Sequence, residues 1–374
     1  MTQERVPIGD YVTEYSVRNK ANEDIPVYSV TNSQGFCKEY FEKEVASKDK
    51  SIYKIVPKGY FAYNPSRINV GSVDWQRSEE RVIVSPLYNV FSVSDELDKQ
   101  YLFYFLKSDI GKQMIKAKAS GSVRDNLKLD MLKEMTIPKR TVQEQKKCVA
   151  VLDQLKKIIS LHSERIGKYD ELLKARFVEM FESGNYKTEK LGAVCTKITD
   201  GTHKTPIYLD EGITFISAKN IVNGELDFAD VKHISEEEYQ EIQKRCQTAI
   251  YDILLSKSGS LGSPVIVKTE EKLGLFESLA ILKYDREILV PEFLCEQLKT
   301  DRIQSQFSTG TKGVAIKHLH LGVIADTDII VPSLDEQKVF ADFVQQVDKS
   351  KVVAQKMLEE AQTLFDSLMQ EYFG

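Results

Sequence analysis

The sequence predicts an α+β protein: two similar mixed α/β domains separated by two long antiparallel coiled-coil helices, the halves related as a pseudo-two-fold internal duplication. Three observations predict it. The chain repeats itself at about half its length of 374 residues. Each copy opens with short β-rich runs punctuated by turn residues. Each copy closes with a long 3-4 alternation of apolar residues.

The repeat comes first because it sets the domain count. At an offset of 192, Gly59-Tyr60-Phe61-Ala62-Tyr63 falls on Tyr251-Asp252-Ile253-Leu254-Leu255. Tyr101-Leu102, Leu106, Lys107 and Asp109 fall on Phe293-Leu294, Leu298, Lys299 and Asp301, Glu144-Gln145-Lys146 on Glu336-Gln337-Lys338, and Phe181 on Phe373. Small insertions move the offset to 188 at Ile25–Ser29 and to 183 at Ile8-Gly9, which matches Leu191-Gly192. Chance likeness of two apolar patterns would not stay collinear in this way. The period is too long for a solenoid, so the unit duplicated is a domain.

Within copy one, strands are expected over 25–30, 53–56, 60–63 and 81–85, and within copy two over 214–217, 253–256, 264–267 and 280–284. Helical patterns follow at 99–119 and 291–307. The seam of the first long helix reads Leu152, Leu155, Ile159, Ile166, Tyr169, Leu173 and Met180, with His162 and Arg176 filling its gaps. The second reads Val344, Val347, Ala354, Leu358, Ala361, Phe365, Leu368 and Tyr372, with Lys351 as its charged member. Ordinary amphipathic helices covering their own domains are the simpler alternative, but heptads sustained this long favour two helices packed on each other. A proline precedes each helix, six positions before Glu144 in one case (Pro138) and four before Glu336 in the other (Pro332), which leaves the geometry of the helix starts open. The domains are then 1–140, 141–184 (first helix), 185–333 and 334–374 (second helix).

Composition bounds the function. Hydrophobic residues make up 42% and charged residues 29%, the balance of a water-soluble globular chain. No apolar stretch is long enough to span a membrane, and the N-terminus lacks the apolar core of a secretory signal. Five scattered cysteines form no disulfide framework and no zinc motif, which suits a cytoplasmic location. The net charge of −5 counts against a chain that grips nucleic acid by bulk charge alone, while leaving room for local basic patches.

A search for chemistry finds little. His318 and His320 have no Cys or acidic partner at ligand spacing, so no metal site is expected. Ser258-Gly259-Ser260-Leu261-Gly262-Ser263 lacks the lysine of a phosphate loop. Asn64-Pro65-Ser66-Arg67 shares two residues with the Asn-Pro-Pro-aromatic loop of amino-methyltransferases and lacks the rest, and Glu270-Glu271-Lys272 is a fragment of a nuclease signature in a charged loop. The chain therefore reads as a recognition protein with no catalytic residues, rather than a nuclease or fused modification enzyme. Polar clusters of the residue types that read base edges and grip phosphates recur in the loops. They are Tyr63, Asn64, Ser66, Arg67, Asn69 and Arg124 in copy one, and Thr202, His203, Lys204, Lys219, Asn220, Lys257, Ser258, Ser260 and Lys312 in copy two. Each alone reads as a solvated loop; two copies of one layout point to DNA.

The stretches Ile198-Thr199-Asp200-Gly201-Thr202-His203, Phe215-Ile216-Ser217-Ala218-Lys219-Asn220 and Asp252-Ile253-Leu254-Leu255-Ser256-Lys257-Ser258-Gly259, with Tyr63 to Ser72 in copy one and the Pro-then-Glu-Gln boundary signal in both, carry a likeness over the whole chain. The sequence resembles the DNA specificity subunits of type I restriction-modification systems. That resemblance implies two target recognition domains, each reading one half of a bipartite double-stranded DNA site. It implies helices that set the unread spacer and dock two methyltransferase subunits, with restriction-translocase subunits in the full complex. S-adenosylmethionine and ATP would belong to those partners, and this chain would hold no cofactor. The rival without DNA is a coiled-coil protein-interaction scaffold, which leaves the polar loop clusters unexplained.

Overall fold

The computed structural model describes residues 4–38, 49–119, 126–182, 184–310 and 318–374. They form two compact units, residues 1–163 with 356–374 and residues 164–355. The polar loop positions Arg124 and Lys312 lie outside the described residues.

In the first unit the elements run β1 (Arg5–Pro7), β2 (Val12–Glu14), β3 (Ser29–Thr31), β4 (Gly35–Cys37), β5 (Lys54–Pro57), β6 (Phe61–Tyr63), β7 (Val73–Trp75), β8 (Arg81–Val84), β9 (Asn89–Val93), α1 (Lys99–Lys107), α2 (Asp109–Ala119), α3 (Leu129–Lys133), β10 (Thr136–Pro138) and the long α4 (Val142–Phe177). A π-helical turn, Val178–Glu182, extends α4. The second unit follows with β11 (Thr188–Lys190), α5 (Leu191–Val194), β12 (Cys195–Asp200), β13 (Ile213–Ile216), β14 (Ile221–Val222), β15 (Glu225–Leu226), β16 (Lys232–Ile234), α6 (Glu236–Arg245), β17 (Ile253–Ser256), β18 (Pro264–Ile266), β19 (Leu273–Leu275), β20 (Leu279–Tyr284), α7 (Pro291–Lys299), α8 (Asp301–Gly310), α9 (Leu321–Ala325), β21 (Asp328–Ile330) and α10 (Leu334–Phe373).

One topology is built twice. The four-stranded sheet of the first unit has the order β2-β9-β6-β7, and that of the second β12-β20-β17-β18. The strand pairs β1-β10 and β11-β21 are equivalent as well. Gly9 and Gly192, matched in sequence, have one job: a Cβ at either would lie 3.1 Å from a carbonyl oxygen, that of Lys133 or of Ala325. The units differ where the second adds β13 between β16 and β19, β19 being parallel to it, whereas the first has the hairpin β3-β4 and the pair β5-β8. The helical pattern over 99–119 is two helices broken at Ser108, whose hydroxyl donates to the Phe105 carbonyl and accepts from the Gly111 amide.

Both long helices begin at equivalent positions, and the boundary signal has a physical meaning. Thr141 and Glu144 form a reciprocal capping box, as do Ser333 and Glu336. Gln145 is buried, accepting the Asp98 amide at 2.7 Å and donating to the carbonyls of Glu96 and Arg140. Gln337 repeats this with the Val290 amide and the carbonyls of Ile288 and Pro332. The unequal proline spacing is resolved: Pro138 lies in β10, Pro332 follows β21, and the two are not equivalent.

Within each unit the two helices run antiparallel. In the first, the Arg140 guanidinium lies over the Tyr372 ring at 5.8 Å, while Tyr104 bonds Asp153 and sits 6.1 Å from Phe365. In the second, Asp170 pairs with Lys351 at 2.7 Å and Phe177 lies 5.5 Å from Phe340. Every seam residue named above is buried or half-buried; Leu152, Leu155, Leu173, Val344 and Val347 are buried, and Ile159, Ile166, Leu358, Phe365 and Leu368 half-buried. The α10 end plugs Phe373 against Tyr101 in the first unit at 4.9 Å. The extension of α4 plugs Phe181 against Phe293 in the second unit at 5.0 Å. No described helix is long and apolar enough to cross a membrane.

Candidate nucleic-acid interface

In the first unit the loop after β6 is a built platform. Tyr63 ends the strand inside the core: its hydroxyl donates to the Leu127 carbonyl at 3.0 Å and accepts from the Asn89 amide at 2.8 Å. Burial pushes its phenol well above the ordinary value. The structure thus makes Tyr63 a support of the loop, not part of its surface. Asn64 accepts from the Ser66 amide at 3.1 Å and its hydroxyl at 2.9 Å, a turn that lifts the chain off the sheet. A 3-10 turn over Ile68–Val70 then buries Ile68 and closes on Gly71 at φ 94°. Ser66, Arg67 and Asn69 are left exposed. The Arg67 guanidinium has no hydrogen-bond or ion-pair partner among the described residues.

The second unit organises its loops around a buried carboxylate. Asp200, at the end of β12, has a side chain 3% exposed and receives both Lys257 and Arg245. His203 Nε2 lies 3.3 Å from the same carboxylate and its Nδ1 lies 2.7 Å from Glu277. Burial alone would raise the Asp200 carboxyl; the hydrogen bonds and charges of Lys257 and Arg245 outweigh it and hold the group below the usual carboxylate range. Gly201 is required by close approach, since a Cβ there would meet the Leu275 carbonyl oxygen at 2.1 Å.

This arrangement corrects two expectations. Lys257 was expected to face DNA, but its side chain is only 4% exposed and its ammonium is bound to Asp200. A charged group in the interior needs its counter-ion more than a distant phosphate. Asn220 is likewise buried. It accepts the Ser217 amide at 3.0 Å and donates to the carbonyls of Asp227 and Asp230, so its polar atoms are used in closing the turn. Lys219 is exposed and pairs with Asp230 at 3.1 Å. Thr202 bonds the backbone of Lys204, which leaves the Lys204 side chain exposed. Ser258 is half-buried and Ser260 exposed, on a loop carried by Gly259 and Gly262 at φ 71° and 76°.

Sequence reasoning missed Asp200 and Arg245 as the anchors of this loop set. Asp200 stood in the motif beside Thr202, but nothing in spacing reveals that a lysine 57 positions later folds back onto it. Among the described residues no group of three or more His, Cys, Asp or Glu could hold a metal ion. All five cysteines are free thiols.

Comparison with known proteins agrees with the duplicated plan. A family model described as the type I restriction modification DNA specificity domain matches residues 10–168 and again 184–361. The type I restriction enzyme EcoBI specificity subunit of Escherichia coli is 23% identical over 354 residues, 84% of this chain and 73% of that one. The MjaVIII specificity subunit of Methanocaldococcus jannaschii is 19% identical over 295 residues, 73% of this chain and 69% of that one. A solved chain from a study of complex assembly and conformational transition of the type I R-M system has a TM-score of 0.60 at 16% identity, covering 100% of this chain and 98% of that one. The crystal structure of the type I S subunit from M. genitalium has a TM-score of 0.55 at 17% identity, covering 100% and 96%. At such identities the likeness is one of fold.

Proposed function

The chain belongs to the type I restriction-modification DNA specificity family, and from that premise we propose that it is a non-catalytic reader of a bipartite double-stranded DNA site. Each unit reads one half-site through its loops. The long helices set the unread spacer and dock two methyltransferase subunits, and restriction-translocase subunits join the full complex in the cytoplasm. The observation that carries this reading is the repeated strand order, β2-β9-β6-β7 and β12-β20-β17-β18, with different side chains on the loops it presents. A constant frame with changed loops is what two readers of two different half-sites require.

The reading set is smaller than the sequence suggested. Ser66, Arg67 and Asn69 serve the first unit; Thr202, His203, Lys204, Lys219, Ser258 and Ser260 serve the second. Asn64, Asn220 and Lys257 hold the loops that carry them. Away from the seam, Val151 and Leu161 of α4 and Met357 and Leu364 of α10 are 40% to 54% exposed in the first unit. In the second unit Leu172, Val352 and Val353 are 45% to 63% exposed. Apolar residues on the outer faces of helices that already have a packed seam suit docking of a partner subunit.

Methylation mapping by long-read sequencing tests the proposal, in cells that carry this chain with its methyltransferase subunit. The expected result is a split motif with a fixed unread gap, one half of which changes when residues 185–333 are exchanged for those of a relative. Methylation independent of this chain would favour the scaffold reading.

A further inference from the structure

In the first unit three cations surround one aromatic ring. The Arg77 guanidinium carbon lies 5.4 Å from the centroid of Phe103, Lys107 Nζ 5.6 Å and Lys156 Nζ 5.7 Å. Arg77 also covers Trp75 at 4.1 Å, and Lys156 lies 5.4 Å from the Tyr104 ring. Two carboxylates are near, and both are engaged. Asp74 accepts from Arg77 at 2.7 Å and from the Trp75 and Phe36 amides. Asp153 accepts the Tyr104 hydroxyl at 2.5 Å. Lys107 bonds carbonyl oxygens, those of Asn32 and Gly71, and Lys156 has no hydrogen-bond or ion-pair partner among the described residues. Burial lowers the pKa of both lysines; Asp74 opposes this at Lys107 and Asp153 at Lys156, while neighbouring cations add to it.

The duplication supplies an internal control. The helix offset of 192 places Phe103 on Cys295, Lys107 on Lys299 and Lys156 on Asp348. The strand registers Phe61 with Trp75 and Ile253 with Ile266 place Arg77 on Lys268. The second unit thus keeps two of the cations and reverses the third. Asp348 lies 3.8 Å from Lys268, and Lys299 pairs with Glu296 at 2.5 Å. Burial alone would lower Lys299; Cys295, Glu296 and Asp348 outweigh it and raise it. The fold therefore closes this corner with its charges balanced when it needs no ligand there.

We propose that Arg77, Lys107 and Lys156 form an anion site on the first unit that takes a backbone phosphate of duplex DNA. Its position favours DNA over an acidic protein surface, because Lys107 is bonded to Gly71, the residue that closes the loop carrying Arg67 and Asn69. A strand read by that loop has its phosphates beside it. Such a contact is sequence-independent and positions the duplex for the readers. The inference rests on the DNA-reading proposal above.

The test is the salt dependence of DNA binding by the chain assembled with its methyltransferase subunits, on a duplex with the mapped motif and on an unrelated duplex. Lys156 is exposed and its ammonium has no hydrogen-bond or ion-pair partner among the described residues, so Lys156→Ala is expected to leave the fold intact, which thermal unfolding checks. Expected is a slope of log affinity against log salt reduced by about 1, equally on both duplexes. Between 50 and 200 mM salt that is about a fourfold smaller loss of affinity than the parent shows. Arg77→Ala is expected to act in the same direction. An unchanged slope in both variants, with the mapped motif intact, overturns the phosphate site and leaves the reading standing. Failure of Lys156→Ala to assemble with the methyltransferase subunits overturns it in favour of a protein contact. A reduced slope in a complex that methylates no split motif retains the phosphate site and sinks the reading instead.

Discussion

The first unit leaves a cation free where the second buries one. The two loops leave equivalent strands of the two four-stranded sheets, β6 in the first unit and β17 in the second. After β6, Arg67 stands exposed on a turn braced by Asn64 and Gly71. After β17, Lys257 turns inward and neutralises Asp200, while Lys204, on a different loop, is exposed and has no ion-pair partner among the described residues. The difference teaches that loop composition alone does not locate a reading face. A lysine in a polar cluster belongs to the surface only if no buried carboxylate claims it, and that is decided by tertiary contacts.

The largest effects should fall where the units are alike. Phe181 and Phe373 are fully buried plugs at the ends of the helices, against Phe293 and Tyr101. Phe→Ala at such sites costs about 3–5 kcal/mol. Phe181→Ala should destabilise the second unit and Phe373→Ala the first, by similar amounts in urea unfolding followed by hydrogen exchange. A cost at only one of them would break the equivalence of the two ends.

Next comes the ion pair that the first unit lacks. Lys257→Ala leaves Asp200 buried with Arg245 as its remaining cation, a loss of about 3 kcal/mol. Acid provides a second check. The Asp200 carboxyl is held below its unfolded value, so its contribution is present above the ordinary carboxylate range and is lost as pH falls through the lower, folded value. Hydrogen exchange in β12 and β17 should therefore accelerate below about pH 4 in the parent, and this dependence should flatten in Lys257→Ala. If the variant is as stable as the parent at neutral pH, the second loop set is not built on this pair.

The buried glutamines come third. Gln145→Ala and Gln337→Ala each strand one amide and two carbonyls at a helix start, where an unsatisfied buried group costs about 1–3 kcal/mol. Equal losses in thermal unfolding would show that both units hold their long helix by the same clasp; a loss at only one would show that the shared Glu-Gln signal has diverged in use.

This clasp marks how far the sequence could be read. The repeat and the seams were legible because they rest on a collinear offset and a 3-4 apolar period, whereas the Thr141 and Ser333 caps and the burial of the glutamine four positions beyond each came only with the structure. Strands such as β7 and β9 were not picked out from alternation, and the second unit's parallel β13-β19 pair depends on contacts about 60 residues apart. Exposed loop residues such as Arg67 and Lys204 could be nominated from residue type. The inward turn of Lys257, the satisfied Asn220 and the core position of Tyr63 could not, because each depends on what a distant segment offers to a polar atom.

The smallest effect on stability, and the sharpest test of the opening contrast, belongs to Arg67. Its side chain is exposed and has no ion-pair partner among the described residues, so Arg67→Ala should change unfolding free energy by less than about 0.5 kcal/mol. If it reads a base edge, the same change should remove about 1–3 kcal/mol of discrimination in one half-site, about tenfold or more in relative methylation of matched and mismatched sites. Lys257→Ala predicts the reverse pattern, loss of stability first, with any loss of reading following from it. A variant of Arg67 that keeps full selectivity would move the reading contact of the first unit to Ser66 or Asn69, which are also exposed on that loop but whose side chains are shorter and uncharged.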